Sequence, residues 1–485
     1  MRDSLIFYVN GKRQKVSDQS TFRSLSDYLR LDLGLTGTKV VCAEGDCGSC
    51  TVLLGRYQNE KWNYNAVDCC IQYLFQVDGA HVITVEALRE GGVLHPVQQV
   101  MVDQFGSQCG YCTPGFVMAL TALVEQQTLL TRENVQLGLT GNLCRCTGYK
   151  QIYDAALSLE QDKLPIVSER YRNKQMEKEL EETLLTPALI QSRSLLQPSE
   201  LKSVFLPVTL SEAVSYLADN SESKIISGGT DVSVQLNKGK SELKKVLCLT
   251  HLKELEFIQQ NQEKLTIGSG LSWTELERFL ESIIPQFHEI IKVFGSPQIR
   301  NAGTMGGNIA NASPIADSLP FLLISDAQLE LTSSRGVRHL KMEHFYQGYK
   351  KMDLMPDELI SRISLRIPQM NEILRLYKVS KRRDLDISTF TAGLRFSLKQ
   401  NKFEAIRLAM GGVAPVAMRL METENWLFGR EFTLETMKQA GRMAVQEISP
   451  ISDVRASREY RMSLAENVFE KIYYESNSQL ATQSA

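Results

Sequence analysis

Residues 4–9 read as a strand and run into Asn10-Gly11, a pair that favours a tight hairpin, so a returning strand is expected over residues 13–16. Ser20 or Thr21 can cap a helix reaching residue 31. Thr51-Val52-Leu53-Leu54 and His81-Val82-Ile83-Thr84-Val85 read as further strands of this small sheet, the second one closing it. A helical period then takes over at 96–104, 115–126 and 132–138. Between 161 and 196 the pattern lapses. Residues 169–179 are charged and show no core stripe, which predicts a solvated, partly helical linker. From Leu206 strands and helices alternate, with a helix over 209–217, a strand over 224–227, a helix after Asp231 and a strand over 265–270. Beyond Lys378, strands at 391–398 and 405–410 precede helices at 433–447 and 456–474, and the polar residues 477–485 are expected to fray.

A length of 485 residues suggests about three domains at roughly 150 residues each. The formal net charge of −2 provides no basic surface for nucleic acid or anionic lipid. Met1-Arg2-Asp3-Ser4 does not begin a secretory signal, and no apolar run approaches the roughly 20 residues of a membrane span. A cytoplasmic location without membrane or nucleic-acid partners is therefore expected.

The cysteines change this picture. Nine of the ten lie between Cys42 and Cys146. Cys42, Cys47 and Cys50 have the spacing C-x4-C-x2-C, that of a plant-type [2Fe–2S] loop, set among Gly45 and Gly48. The sheet around them reads as a ferredoxin-like β-grasp. A fourth ligand would come from Cys69 or Cys70. Neighbours in a strand point to opposite faces, so only one of them is expected to face a cluster. Gln108-Cys109-Gly110-Tyr111-Cys112-Thr113-Pro114-Gly115 and Gly141-Asn142-Leu143-Cys144-Arg145-Cys146-Thr147-Gly148-Tyr149 supply a second set of four thiols in a helical bundle. Zinc also accepts four thiolates, but a plant-type loop so close upstream favours iron–sulfur chemistry. Cys248 reads as a buried apolar residue and His95 as a structural histidine.

Two glycine-rich turns end strands, Gly228-Gly229-Thr230-Asp231 and Gly268-Ser269-Gly270, and a third glycine site, the richest, runs from Gly303 through Gly306-Gly307-Asn308 to Asp317. The dinucleotide fingerprint GxGxxG is absent, yet three such turns in one α/β region predict a flavin or dinucleotide site.

These motifs together resemble the molybdenum-containing hydroxylases, in particular the xanthine dehydrogenase family. The likeness covers both cysteine groups, Ile225 to Val232 and Met305 to Asp317. It implies an α+β multidomain chain. The expected parts are a β-grasp [2Fe–2S] domain at 1–88, a helical-bundle [2Fe–2S] domain at 89–160 and a linker at 161–196. An α/β FAD-binding domain of the vanillyl-alcohol-oxidase (PCMH) type follows at 197–372, and a small α+β domain at 373–485.

It further implies Cys42, Cys47, Cys50 and Cys70 as ligands of one cluster, and Cys109, Cys112, Cys144 and Cys146 as ligands of the other. Cys70 takes the ligand place when the chain is read back from Thr84-Val85-Glu86, which leaves Cys69 as a spare. Expected FAD contacts are Ile225, Ile226, Ser227, Gly228, Gly229, Thr230, Asp231, Val232, Phe294, Thr304, Met305, Gly306, Gly307, Asn308, Asp317, Ile360 and Lys378. Gln108 corresponds to a glutamine that touches the pterin of a molybdenum cofactor. The loop Lys381-Arg382-Arg383-Asp384-Leu385-Asp386 is expected beside the flavin.

Because the chain stops at Ala485, the resemblance points to the small iron–sulfur and FAD subunit of a bacterial xanthine dehydrogenase. Its partner would be a large subunit carrying the molybdenum cofactor, in an α2β2 or larger assembly. Electrons from hypoxanthine or xanthine would pass through the two clusters to FAD and on to NAD⁺. No catalytic acid or base for the purine is expected in this chain. The alternatives are the matching subunit of a hydroxylase acting on an aldehyde or an N-heterocycle such as nicotinate, a non-catalytic iron–sulfur redox sensor, and a zinc-stabilised binding module.

Overall fold

The computed structural model describes residues 1–193 and 201–483. The chain divides into two compact units, Met1–Glu254 with Gly295–Thr304, and Leu255–Phe294 with Met305–Ala485.

The first unit opens on a five-stranded sheet in the order Lys12–Val16, Leu5–Val9, His81–Ile83, Thr51–Gln58, Lys61–Asp68. Asn10 and Gly11 both have positive φ, as the tight hairpin requires. His81–Ile83 does not close the sheet. It lies at the centre, parallel to Leu5–Val9 and antiparallel to Thr51–Gln58. All three of its residues are buried, and a strand with no solvated face belongs inside a sheet. The helix expected to reach residue 31 is broken. Asp18 caps a 3₁₀ turn, Gln19–Phe22, and Ser24 caps a second start at Leu25–Asp27. Two capping residues six positions apart compete, and the chain is extended at Arg23 and Ser24, between the two turns.

Helices Pro96–Asp103, Thr113–Glu125, Arg132–Gly138 and Lys150–Leu157 form the next layer. Thr113–Glu125 is its axis, with Gly115 through Val124 buried without a break. A helix apolar on every side belongs at the centre of a bundle.

Residues 161–193 depart from the expected solvated linker, and residues 194–196 of that stretch lie outside the described residues. Lys174–Leu184 is a helix that buries Met176, Leu180, Thr183 and Leu184. Met176 and Leu180 form a cluster with Tyr8 of the first sheet. Ala188–Arg193 is an edge strand of a second sheet, in the order Ala188–Arg193, Leu201–Leu206, Lys245–Cys248, Lys224–Ile226. Its inner strands pair in parallel, as expected for an α/β arrangement.

The second unit contains an antiparallel sheet in the order Ile258–Gln260, Lys264–Gly268, Leu359–Arg366, Gln328–Ser333, Gly336–Lys341. Helices Trp273–Leu280, Pro285–Lys292 and Ser318–Ile324 pack into the same core. A four-stranded sheet follows, Glu372–Val379, Phe390–Lys399, Lys402–Gly411 and Met418–Arg419, with helices Leu434–Glu447 and Arg458–Gln483. Of the tail expected to fray, residues 477–483 continue the helix, with no Gly or Pro to interrupt it, and residues 484–485 lie outside the described residues. No described helix is long and apolar enough to cross a membrane.

Candidate functional site

The first thiol group sits in the loop between Lys39 and Thr51, which turns through positive φ at Ala43, Gly45 and Gly48. These turns fold the loop back so that its cysteines converge. Cys42 makes sulfur contacts with both Cys47 and Cys70, and Cys50 with Cys69 and Cys70. Hydrogen bonds from Cys47 and then Cys70 hold Cys42 well below the usual thiol range, while Cys47 and Cys70 are pushed above it by the same contacts and by burial. Sulfurs that share protons in this way are those a metal centre would bind as thiolates.

Backbone and hydroxyl groups also face sulfur, with Glu44 N at 3.4 Å from Cys42 Sγ and Ser49 Oγ at 3.3 Å from Cys47 Sγ. Asp68, fully enclosed beside Cys50, has its carboxyl raised to about 7, first by burial and then by the charge of Cys42.

Cys69 and Cys70 lie in a 3₁₀ turn, Cys69–Ile71, and not in a strand. Strand alternation is therefore not what separates them. Cys70 reaches Cys42 and Cys50, whereas Cys69 turns its Sγ onto the Cys50 carbonyl oxygen at 2.9 Å.

The second group brings Cys109 against Cys146 and Cys112 against Cys144. Cys112 caps helix Thr113–Glu125, where Pro114 costs no hydrogen bond. Burial and then the Cys144 contact push its thiol up to about 12. Burial acts against Cys144, but the hydroxyl of Thr147 at 3.1 Å and its N–H at 3.5 Å hold that thiol below the usual range. Cys109 and Cys146 are exposed, as is Gln108 beside them.

Among the described residues, no three His, Cys, Asp or Glu side chains are gathered as one metal ion would require. The sulfurs of the second group meet in two pairs, and those of the first run in a chain from Cys47 through Cys42 and Cys70 to Cys50. Four thiols per group, with N–H and O–H donors aimed at sulfur, fit a [2Fe–2S] centre at each place.

In the first unit the turn after Lys224–Ile226 is held from the β-grasp sheet. Gln76 Nε2 donates to Ser227 O at 3.2 Å and to Gly228 O at 3.1 Å. A Cβ on Gly228 would stand 2.0 Å from the Ala302 oxygen, so only glycine fits there. Gly229 has φ +72. Ile225 to Asp231 lead into helix Val232–Asn237. At that helix's end Asn237 Nδ2 donates to Ala43 O and Cys70 O, both at 2.9 Å. Thr304, buried, follows helix Pro297–Ala302.

Within the second unit, Lys378 Nζ lies 2.6 Å from Asp317 Oδ2 and 2.8 Å from Ser388 Oγ, and Ser388 donates to Asp317 Oδ1 at 2.5 Å. Met305, Gly306, Gly307 and Asn308 start helix Met305–Ala310, and Asn308 Oδ1 accepts from Ser318 at 2.6 Å. A Cβ on Gly306 would meet Ser269 at 2.6 Å, so this glycine brings two of the expected turns together. Phe294 packs on Trp273 with ring centroids 4.9 Å apart, and Ile360 pairs with Leu331 inside the sheet. The glycine cradles at Gly228 and Gly306 are of the kind that admit a phosphate-bearing group. Arg382 pairs with Asp386 in the basic loop, and Arg383 is exposed.

His95 is not among the thiols. Its Nδ1 accepts from Val97 N as a helix cap, as expected of a structural histidine. Cys248 is fully buried. Gln76, Asn237 and Gln298 were not visible as site residues in the sequence, where each is a single amide in an ordinary context.

Four families match successive parts of the chain. Residues 7–69 match a 2Fe-2S iron-sulfur cluster binding domain, and 84–157 a [2Fe-2S] binding domain. Residues 199–370 match the FAD binding domain in molybdopterin dehydrogenase, and 375–476 the CO dehydrogenase flavoprotein C-terminal domain. The chain is 30% identical to Xanthine dehydrogenase 1 of Arabidopsis thaliana over 96% of its own length, and 28% identical to Xanthine dehydrogenase/oxidase of Gallus gallus over 97%. It spans about two fifths of these relatives, 39% and 40% respectively.

Carbon monoxide dehydrogenase of Hydrogenophaga pseudoflava shares the fold, with a TM-score of 0.53 at 23% identity, covering 55% of this chain and 94% of that one. Quinoline 2-oxidoreductase of Pseudomonas putida 86 does so with 0.52 at 24%, covering 56% and 94%. Two 2Fe-2S domains, an FAD-binding domain and a flavoprotein C-terminal domain, in this order, fit the small subunit of a molybdenum hydroxylase.

Proposed function

We propose that this chain is the electron-transfer subunit of a xanthine dehydrogenase, an oxidoreductase whose molybdenum cofactor lies on a partner subunit. The observation that carries the reading is the linkage inside the first unit. Two converging groups of four thiols stand in adjoining domains, and the glycine turn at 227–229 is hydrogen-bonded to the same β-grasp domain through Gln76, with Asn237 gripping the Cys70 carbonyl. The 30% identity to a xanthine dehydrogenase over 96% of the chain supports the choice of purine chemistry.

Cys42, Cys47, Cys50 and Cys70 hold one cluster in this proposal, and Cys109, Cys112, Cys144 and Cys146 the other. Residues 225–232, Phe294, Thr304 to Asn308, Asp317, Ile360 and Lys378 hold FAD. When bound, these groups supply single-electron carriage and its conversion into hydride delivery to NAD⁺. The protein's own part is to tune and to place. N–H donors at Glu44 and Thr147 stabilise charge on sulfur. Asp317 and Ser388 fix the Lys378 ammonium in one position. The exposed Arg383 offers a cation to the pyrophosphate of the nicotinamide cofactor.

Anaerobic purification with the partner subunit is the test. The expected result is about four irons and four acid-labile sulfides per chain, flavin absorption near about 450 nm, and NAD⁺ reduction with hypoxanthine or xanthine. Turnover of nicotinate or an aldehyde alone would assign the chain to a different hydroxylase. Zinc in a colourless protein would remove the electron-transfer reading.

A further inference from the structure

A buried polar junction joins the two thiol loops, and its third member comes from far along the sequence. Asn142, two residues before Cys144, donates through Nδ2 to Gly48 O at 2.9 Å. Gly48 lies between Cys47 and Cys50, and its carbonyl also accepts from Thr51 Oγ1 at 2.6 Å. Leu143 N donates to Cys47 O at 3.0 Å, so the chain beside one thiol bonds directly to the chain beside another. Gln298, on helix Pro297–Ala302, closes the figure. Its Nε2 donates to Asn142 Oδ1 at 2.9 Å and to Thr51 Oγ1 at 3.2 Å. Gln298 and Asn142 are 1% and 2% exposed.

The directions of these bonds fix one another. The Thr51 hydroxyl proton is committed to Gly48 O, so its oxygen must accept from Gln298. The Asn142 amide nitrogen donates to Gly48 O and, at 3.4 Å, to Thr51 Oγ1, so its Oδ1 is the atom left to accept. Both hydrogens of one Gln298 amide meet these demands, and no other uncharged side chain of that length has two donors on one atom besides its own acceptor. The fit leaves no room for a side chain on neighbouring glycines. A Cβ on Gly141 would stand 2.0 Å from Gln298 Oε1, and one on Gly115 2.1 Å from Gly48 O. The same helix presses Ile299 towards Gly45 and sends Asn301 Nδ2 to Ala66 O at 2.8 Å, so Gln298 is held from a seated element.

We propose that Gln298 is the positioning residue that holds the Cys47 and Cys144 loops in register, keeping the Leu143–Cys47 backbone bond closed. This makes a residue from the flavin-binding part of the sequence responsible for the spacing of the two thiol groups. The inference rests on the iron–sulfur reading for its consequence, and on the hydrogen bonds alone for its geometry. In Gln298→Glu the shape stays, but a neutral carboxyl has one donor where the amide has two, so at least one acceptor is left unmet in a dry site.

The experiment measures amide hydrogen exchange peptide by peptide on the holoprotein, beside iron content and the electron-paramagnetic splitting between the two reduced centres. In Q298E, exchange over residues 141–144 and 47–51 is expected to rise about tenfold, with the outer sheet strands unchanged. The splitting should broaden or shift while iron and flavin stay bound. Gln298→Met, which keeps volume without donors, should repeat the result if the glutamate merely unfolds the site. Wild-type exchange at residues 141–144 in both variants overturns the proposal. So does an even rise over the whole chain, which would make Gln298 a residue of general stability. A wild-type protein without iron would instead fail the iron–sulfur reading, and the exchange comparison would still decide the role of Gln298.

Discussion

The two thiol groups present opposite faces to solvent. In the β-grasp group Cys50 and Cys70 are buried and Cys42 and Cys47 half-buried, whereas in the helical domain Cys144 is buried, Cys112 half-buried, and Cys109 and Cys146 exposed. The difference follows from the supporting structure. A loop threaded through left-handed turns between sheet strands encloses what it binds. A helix start and a short loop offer sulfur from two sides and leave the remaining sides open. Solvent access and hydrogen bonding to sulfur are the levers that set a cluster's potential, so one chain would hold two carriers of the same kind at different potentials. The open group suits exchange with an outside donor, and the enclosed group suits relay within the chain.

The sharpest way to break this comparison is to remove a ligand from the enclosed group. Cys70→Ser should lose about half of the bound iron, whereas Cys69→Ser should keep all of it and cost about 1 kcal/mol or less of stability. Iron analysis and a thermal melt decide, and equal iron in both variants would deny Cys70 its place.

The next effect is accessibility. A chelator or mild peroxide should strip iron from the open group at least about ten times faster than from the enclosed one, because susceptibility follows exposure. Loss of the two centres' paramagnetic signals over time checks the order, and simultaneous loss would erase the distinction.

A smaller effect concerns acid. Burial lowers His81 to about 3, while its Nε2 accepts from Gly11 N at 2.9 Å and its Nδ1 bonds Tyr64 Oη at 2.7 Å. A histidine whose folded pKa is depressed binds fewer protons than the unfolded chain. Its contribution is therefore intact above about pH 6.5 and is lost as pH falls towards 3, amounting to roughly 2 kcal/mol by pH 5. Thermal midpoints of the β-grasp region should drop over that window. His81→Gln should flatten the dependence, at some cost in stability at neutral pH.

The smallest effect leaves both thiol groups untouched. Arg383→Ala should raise the KM for NAD⁺ several-fold with unchanged iron and flavin, and unaltered NAD⁺ kinetics would withdraw that residue.

The sequence made the cysteine groups legible because metal ligation needs fixed residue types at fixed short spacings, and the strands at residues 5–9 and 51–54 because short apolar runs bounded by turn residues favour a buried strand. Three features escaped it for physical reasons. The helix Lys174–Leu184 buries Met176, Leu180, Thr183 and Leu184 together with the carboxyl-bearing Glu177, so a run of lysines and glutamates hides a packed stripe and its composition reads as solvated. The central place of His81–Ile83 depends on pairing between strands distant in sequence, which local pattern does not encode. The choice between Cys69 and Cys70 is made by a 3₁₀ turn, and the rule of alternating faces does not apply to a turn. Gln298 is harder still, since a buried amide has no period and acquires meaning only when its acceptors on Asn142 and Thr51 are in place.

Gly48, Gly115 and Gly141 stand where the two thiol loops meet, and none of them could gain even a methyl group without collision with a neighbouring carbonyl or amide. Evolution therefore cannot redesign either loop alone. A drift in one must await a matching drift in the other, and chimaeras that exchange one domain between distant relatives should founder at this seam before any ligand is disturbed.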